Sequence, residues 1–171
     1  MSDWLTDFLA EFKPFAAAAL DLPEPAENTV NILTTVQGQQ HNFVEMLNNR
    51  AGKGWKFSTP GMIIDVGSFQ ALPEELGMTV SSLMRAPVTI IYVTSMGGAN
   101  GTQNACYRQI FSLKQAIETS VPTYQTYTWI EQGKLMSSVD CPINRDLMAD
   151  SQVSVICSAL QYTPGLLAQL Y

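Results

Sequence analysis

The stretch from Ala86 to Thr119 narrows most sharply the folds open to this chain. Residues Ala86 to Ser95 alternate with a period of two, and Val88-Thr89-Ile90-Ile91-Tyr92-Val93-Thr94 is rich in the β-branched and aromatic residues that suit a strand. A Gly/Asn loop follows, Ser95-Met96-Gly97-Gly98-Ala99-Asn100-Gly101-Thr102. Cys106, Ile110, Leu113 and Ile117 then recur on one face of a helix from about Thr102 to Thr119, with Tyr107, Phe111 and Lys114 beside it, and Pro122 closes it. Two further alternating segments come after, Tyr124 to Glu131 and Val153 to Tyr162. A period that changes from strand to helix and back predicts an α+β fold. The expectation is a mixed or antiparallel sheet of about four to six strands, flanked by an N-terminal helix and one long helix over about 102–119.

That N-terminal helix is read from Ser2 to Lys13. Trp4, Leu5, Phe8, Leu9, Phe12 and Phe15 recur at helical spacing, while Asp3, Asp7 and Glu11 take the other side and favour its N-terminal end. Pro14 is expected to end or kink it, although Ala16 to Leu20 can carry it on. Core packing is the plain reading of its aromatics. The functional reading is a helix that docks, through Trp4 and Phe8, on a neighbouring subunit.

Asp21 to Asn28 is a Pro/acid connector without periodicity, and Thr29 to Val36 alternates loosely as a strand. Phe43, Val44 and Leu47 fit one or two turns of helix. Arg50-Ala51-Gly52-Lys53-Gly54-Trp55-Lys56-Phe57 then gathers three of the nine basic residues beside two aromatics. As a loop it can offer Arg50, Lys53 and Lys56 to phosphates and Trp55 for stacking; the alternative is a solvated connection. Met62-Ile63-Ile64-Asp65-Val66 suits a buried strand after a turn at Pro60, and Leu72 to Gly77 a tight connection. Gln132-Gly133-Lys134 turns the chain, and Thr163 to Tyr171 is a tail whose Leu166, Leu167 and Leu170 need cover. Its 171 residues are read as a single domain, with 21–57 as an inserted or extended region.

Composition limits the classes of function. Hydrophobic residues make up 46% and charged ones only 14%, against about 25% in a typical soluble protein. Uncharged polar residues fill the difference, and such a surface suits coverage by neighbouring subunits. A net charge of −6 argues against a dedicated nucleic-acid binder, whose footprint is basic, but not against a wall that lets DNA pass. The three cysteines, Cys106, Cys141 and Cys157, are far apart and the single histidine is His41, so a zinc site has no support and a reducing compartment is expected. Met1-Ser2-Asp3-Trp4 lacks a basic stretch leading into an apolar one, so no signal peptide is expected. The apolar stretches fall well short of the roughly 20 residues of a membrane span.

Chemistry has few candidates. The loop 95–102 occupies a phosphate-loop position but lacks a Gly-Lys-Ser/Thr ending and does not fit GxGxxG, so an Asn-Gly turn explains it better; Asn100-Gly101-Thr102 is likewise a turn and not a glycan acceptor. A nucleophilic group of Cys141, His41 and Asp140 can be drawn, which would make a small cytoplasmic enzyme or, without catalysis, a monomeric binding module. The carboxylate pairs Glu74/Glu75 and Asp146/Asp150 read as solvated charges.

The order of elements resembles a known family. The N-terminal amphipathic helix, a strand after Pro60-Gly61, the Arg85-Ala86-Pro87-Val88-Thr89-Ile90-Ile91-Tyr92-Val93 strand, the long helix through Ile117 and the terminal Val153-Ser154-Val155-Ile156-Cys157-Ser158-Ala159-Leu160-Gln161-Tyr162 strand are together similar to tail terminator and related neck proteins of tailed bacteriophages. The resemblance spans about residues 60 to 162 and is one of pattern. It implies a virion structural protein, made in the host cytoplasm, that forms a ring, commonly a hexamer, joining the tail tube to the head-side connector. It also implies no cofactor and no catalysis. The stretch from Asp21 to Phe57 is longer than in the usual smaller members.

Overall fold

The computed structural model describes residues 4–36, 56–67, 70–71, 81–85, 87–98, 100–119, 127–129, 134–137, 155–162 and 164–169. Helix α1 spans Trp4–Ala19 and α2 spans Gln103–Thr119. The strands are β1 (Thr29–Val36), β2 (Lys56–Val66), β3 (Gln70–Ala71), β4 (Ser81–Arg85), β5 (Val88–Ser95), β6 (Tyr127–Trp129), β7 (Lys134–Ser137), β8 (Val155–Tyr162) and β9 (Pro164–Gln169). The fold is α+β.

Five strands form the main sheet in the order β1-β2-β5-β8-β7. It is mixed: β1 runs parallel to β2, and the other neighbours are antiparallel. The registers line up rows of residues across it. Ile32, Met62, Tyr92 and Ser158 make one row, and Thr34, Ile64, Ile90 and Leu160 another. Both rows lie on the side that meets the helices, where Phe8, Phe12, Ala16 and Leu20 of the α1 region and Cys106, Ile110, Leu113 and Ile117 of α2 pack against Met62, Ile64, Ile90, Tyr92 and Leu160. The alternate residues Leu33, Ile63, Val93 and Cys157 join Phe57 in a second buried cluster on the opposite side. Both sides of β2 and β5 are therefore apolar, as the near-continuous run Met62-Ile63-Ile64 requires. Each large side chain so buried contributes about 1.5–3 kcal/mol.

Helix α1 does not stop at Pro14. The proline lies inside it, and Ala16 and Leu20 continue at the same spacing the buried stripe begun by Phe8 and Phe12. Pro14 has no N–H for the Ala10 carbonyl, but both residues are on the exposed side, where water can serve that carbonyl. The helix ends where Asp21 adopts a left-handed φ of 50°, with Asp21 N bonded to Ala18 O (3.2 Å) and Leu22 N to Ala17 O (3.0 Å). This is a Schellman closure with Asp in place of the usual glycine. At the other helix, Thr102 caps the N-terminus by accepting from Ala105 N at 3.2 Å.

Three further sequence expectations change. Lys56 and Phe57 are not loop residues but open β2, and Phe57 is fully buried. Pro60 is not a turn before a strand but lies within β2: Val30 pairs with Phe57 and Ile32 with Met62, so Ser58 to Gly61 bulge opposite the single residue Asn31. A bulge is where an interior strand tolerates a proline, because no ladder donor is needed there; the Thr59–Pro60 peptide is cis. Finally, 163–171 is not merely a tail. Residues Pro164–Gln169 form β9, at the centre of a second sheet of order β3-β4-β9-β6, where Leu166 and Leu167 hold register with Met84 and Leu83. The strands Tyr127–Trp129 and Val155–Tyr162 fall within the segments expected from sequence. The helical turns at 43–49 and the connection at 72–77 lie outside the described residues.

Candidate functional site

Of the residues singled out for interaction, Arg50, Lys53 and Trp55 lie outside the described residues, as do His41, Asp140, Cys141, Glu74, Glu75, Asp146 and Asp150. Lys56 is exposed at the start of β2, in register with Thr29. Trp4 is the first residue of α1. Phe8 is a core residue, 1% exposed, its ring stacked on Phe12 at 5.3 Å between centroids; it has no surface left for a partner.

The polar groups that the fold does bring together lie where the Gly/Asn loop hands β5 to α2. Ser158 Oγ donates to the carbonyl of Cys106 at 2.9 Å and lies 3.3 Å from Cys106 Sγ. A serine hydroxyl has one hydrogen, and with it on that carbonyl Ser158 Oγ is left to accept from the thiol, whose own single hydrogen also has Tyr92 O within reach. Cys106 Sγ also sits 3.9 Å from Tyr92 O, while Asn100 Nδ2 donates to the Tyr92 hydroxyl at 3.4 Å and Gln103 Nε2 to Cys157 O at 3.5 Å. These bonds tie the first turn of α2 and the loop before it to β5 and β8.

The electrostatics of this junction are those of a brace. Burial pushes the Cys106 thiol above its ordinary pKa, a rise that its bond with Ser158 only partly offsets. Burial likewise raises the Tyr92 phenol against the opposing bond from Asn100. Both groups stay protonated at neutral pH, which leaves Cys106 without the thiolate that a nucleophile or metal ligand needs. Among the described residues there is no group of three or more His, Cys, Asp and Glu side chains that could hold a metal ion. No helix among them is long and apolar enough to cross a membrane.

What remains for recognition is the outside of the molecule. On α2 the Phe111 ring is 45% exposed, with Lys114 Nζ above it at 5.9 Å and paired to Glu118. Met96, at the head of the loop, is 57% exposed. Among the α1 residues whose side chains are described, the exposed ones are Thr6, Ala10, Pro14 and Ala18, none of them charged. The main sheet ends at β1 and β7, and among the described residues each pairs with one strand only.

Sequence reasoning missed the junction because its members are individually ordinary. Ser158 and Cys106 are 52 positions apart, and only the register of β8 on β5, which sets Ser158 against Tyr92, joins them. The one local signal was a single tyrosine in a strand of β-branched residues, since a buried phenol needs a partner for its hydroxyl. No family model matches this chain, and no curated protein matches it either.

Proposed function

We propose that this chain is a structural subunit of a tailed-phage virion, a ring-forming tail terminator or neck component between the tail tube and the head connector. The elements on which the resemblance rests support this reading: α1, the part of β2 from Met62 onward, β5, α2 and β8. The observation that carries it is the pair of sheet edges. Strands β2 and β5 carry buried residues on both sides of the main sheet, which leaves strand edges and helix exteriors for a neighbour to bind, and β1 and β7 each have one strand partner among the described residues. Edge strands are where another chain's strand or extended loop adds by main-chain hydrogen bonding. In a closed ring such a contact is head-to-tail, with β1 or β7 of one subunit meeting a different surface of the next. The low share of charged residues, 14%, reduces the repulsion and desolvation such contacts must overcome.

Native mass spectrometry of the purified chain, alone and with isolated tail tubes, tests the proposal. A closed oligomer, or a ring that forms only on the tube end, is the expected result. A monomer at every concentration that leaves tubes unbound refutes it. Charge reversal at Arg50, Lys53 and Lys56 together then asks whether the basic segment takes part: loss of particle assembly by a folded variant assigns it a role, and intact assembly removes it.

A further inference from the structure

We propose that Asn100 is a site of spontaneous covalent modification in the folded protein, converted to aspartate and isoaspartate by attack of the Gly101 amide nitrogen on its side chain. Asn100 is the one asparagine in the sequence that is followed by glycine. The reaction closes a five-membered ring, and a glycine at the following position presents no Cβ to obstruct it. Asn100 itself is exposed.

The loop favours the first residue of this pair and requires the second. Residue 100 has a φ of 57°, a conformation that asparagine and glycine adopt most readily. A Cβ at residue 101 would lie 2.6 Å from Gly97 N, 2.7 Å from Ser95 O and 2.8 Å from Gly98 N. All three are main-chain atoms of the same tight loop and have no rotamer to yield, so this close approach demands glycine. The turn that delivers β5 to α2 therefore maintains the susceptible dipeptide.

Two hydrogen bonds restrain the reacting groups. The bond from Asn100 Nδ2 to the Tyr92 hydroxyl is 3.4 Å, beyond the usual range for a strong hydrogen bond. Gly101 N donates to Gly98 O at 3.0 Å, and that bond must open, an event confined to one exposed turn. The Gly101 nitrogen then bonds to Asn100 Cγ, the Cγ–Nδ2 bond breaks, and ammonia leaves carrying the proton from Gly101. Water opens the resulting succinimide at either carbonyl. No oxidant, reductant or further reactant is needed. The product puts a carboxylate where Tyr92 had a donor, so the buried hydroxyl must turn from accepting to donating. The isoaspartyl form also adds a methylene to the main chain just ahead of the α2 cap.

The test incubates the native protein in mildly alkaline buffer and a second sample in urea, following both by ion exchange and by peptide mapping with fragmentation that separates aspartate from isoaspartate. In the native sample the Asn100 peptide should lose its amide before any other asparagine peptide, with a matching acidic shift of one charge. The Asn100→Gly variant, which keeps the positive φ, should show no such shift. An Asn100 that survives in the native sample while converting in urea, or another asparagine that converts first, overturns the proposal.

Discussion

Gly61 stands where a side chain has no room, and Gly61→Ala measures how firmly the β2 bulge is packed. A methyl group there would fall inside contact distance of Phe57 Cζ, 2.9 Å from Phe57 Cε1 and 2.6 Å from Asn31 O. Comfortable carbon contacts are about 3.5–4.0 Å. Neither neighbour can give way easily: Asn31 O belongs to the main chain of β1, and the Phe57 ring is fully buried with Leu33, Ile63, Val93 and Cys157. Overpacking costs about 1–3 kcal/mol in general, and with two unyielding neighbours the cost here is at the upper end, about 3 kcal/mol. For a chain of this length that is a fall in Tm of about 6–12 °C. Phe57→Leu removes both offending ring carbons; alone it loses three buried carbons at about 0.8 kcal/mol each, about 2.4 kcal/mol in all. The double variant should cost at least about 1 kcal/mol less than the two singles added, because the ring clash is gone while that with Asn31 O remains. Urea unfolding followed by circular dichroism gives each value from the midpoint, provided the slope is unchanged. A Gly61→Ala protein within about 0.5 kcal/mol of the parent, or strict additivity in the double variant, refutes this account of the bulge.

Two other consequences follow from the junction and from the connector. Burial raises the pKa of both Cys106 and Tyr92, so the unfolded chain releases these protons first; stability is fully present below the ordinary thiol and phenol ranges and declines as pH climbs through them. The urea midpoint should fall with alkaline pH and Cys106→Ala should flatten the earlier part of that fall, whereas a profile identical in parent and variant would remove the thiol from the explanation. Asn31, buried in β1, donates through Nδ2 to Pro23 O at 2.7 Å, and its replacement by Ala should cost about 1 kcal/mol. Hydrogen exchange should quicken at Thr29 N, which bonds to Ala26 O at the end of the freed connector, and unchanged protection there would show that the connector is held by something else.

How much of this was legible in the sequence depends on whether a residue's role is set within one helix or strand. The α2 face of Cys106, Ile110, Leu113 and Ile117, the Val88–Ser95 strand and the Thr29–Val36 strand declare themselves by periodicity, and the structure has all three. Pro60 misled, and Pro14 left the end of its helix open, because their usual meaning is local, while their tolerance is decided elsewhere: by the exposed side on which Ala10 and Pro14 lie, and by a register step opposite Asn31. Strand β9 was invisible for a related reason. Leu166 and Leu167 read as a tail until β4 and β6, from distant parts of the chain, pair with them. The candidate site divides the same way: the tyrosine and the Asn-Gly turn could be seen, but not that one would bond to the other, nor that Ser158 would reach Cys106.

The same two-sided burial bears on where a partner can bind. Met62, Ile63 and Ile64 point alternately to opposite sides of β2, Ile90, Tyr92 and Val93 divide likewise in β5, and all six are at most 1% exposed. Side chains spent in this way on their own chain cannot also present a flat apolar surface to a neighbour. Among the described residues this leaves the sheet's rim and the helix exteriors, which moves the expected interface away from Phe8 and towards β1, β7 and the outer side of α2 around Phe111. Since a strand edge binds through its main chain, single side-chain substitutions there should weaken assembly little, while a proline that removes a donor from β1 or β7 should weaken it much more. Comparing the oligomer mass of Phe111→Ser with that of proline variants in each edge strand separates the two modes: helix contact if the serine variant falls apart, edge pairing if only a proline variant does.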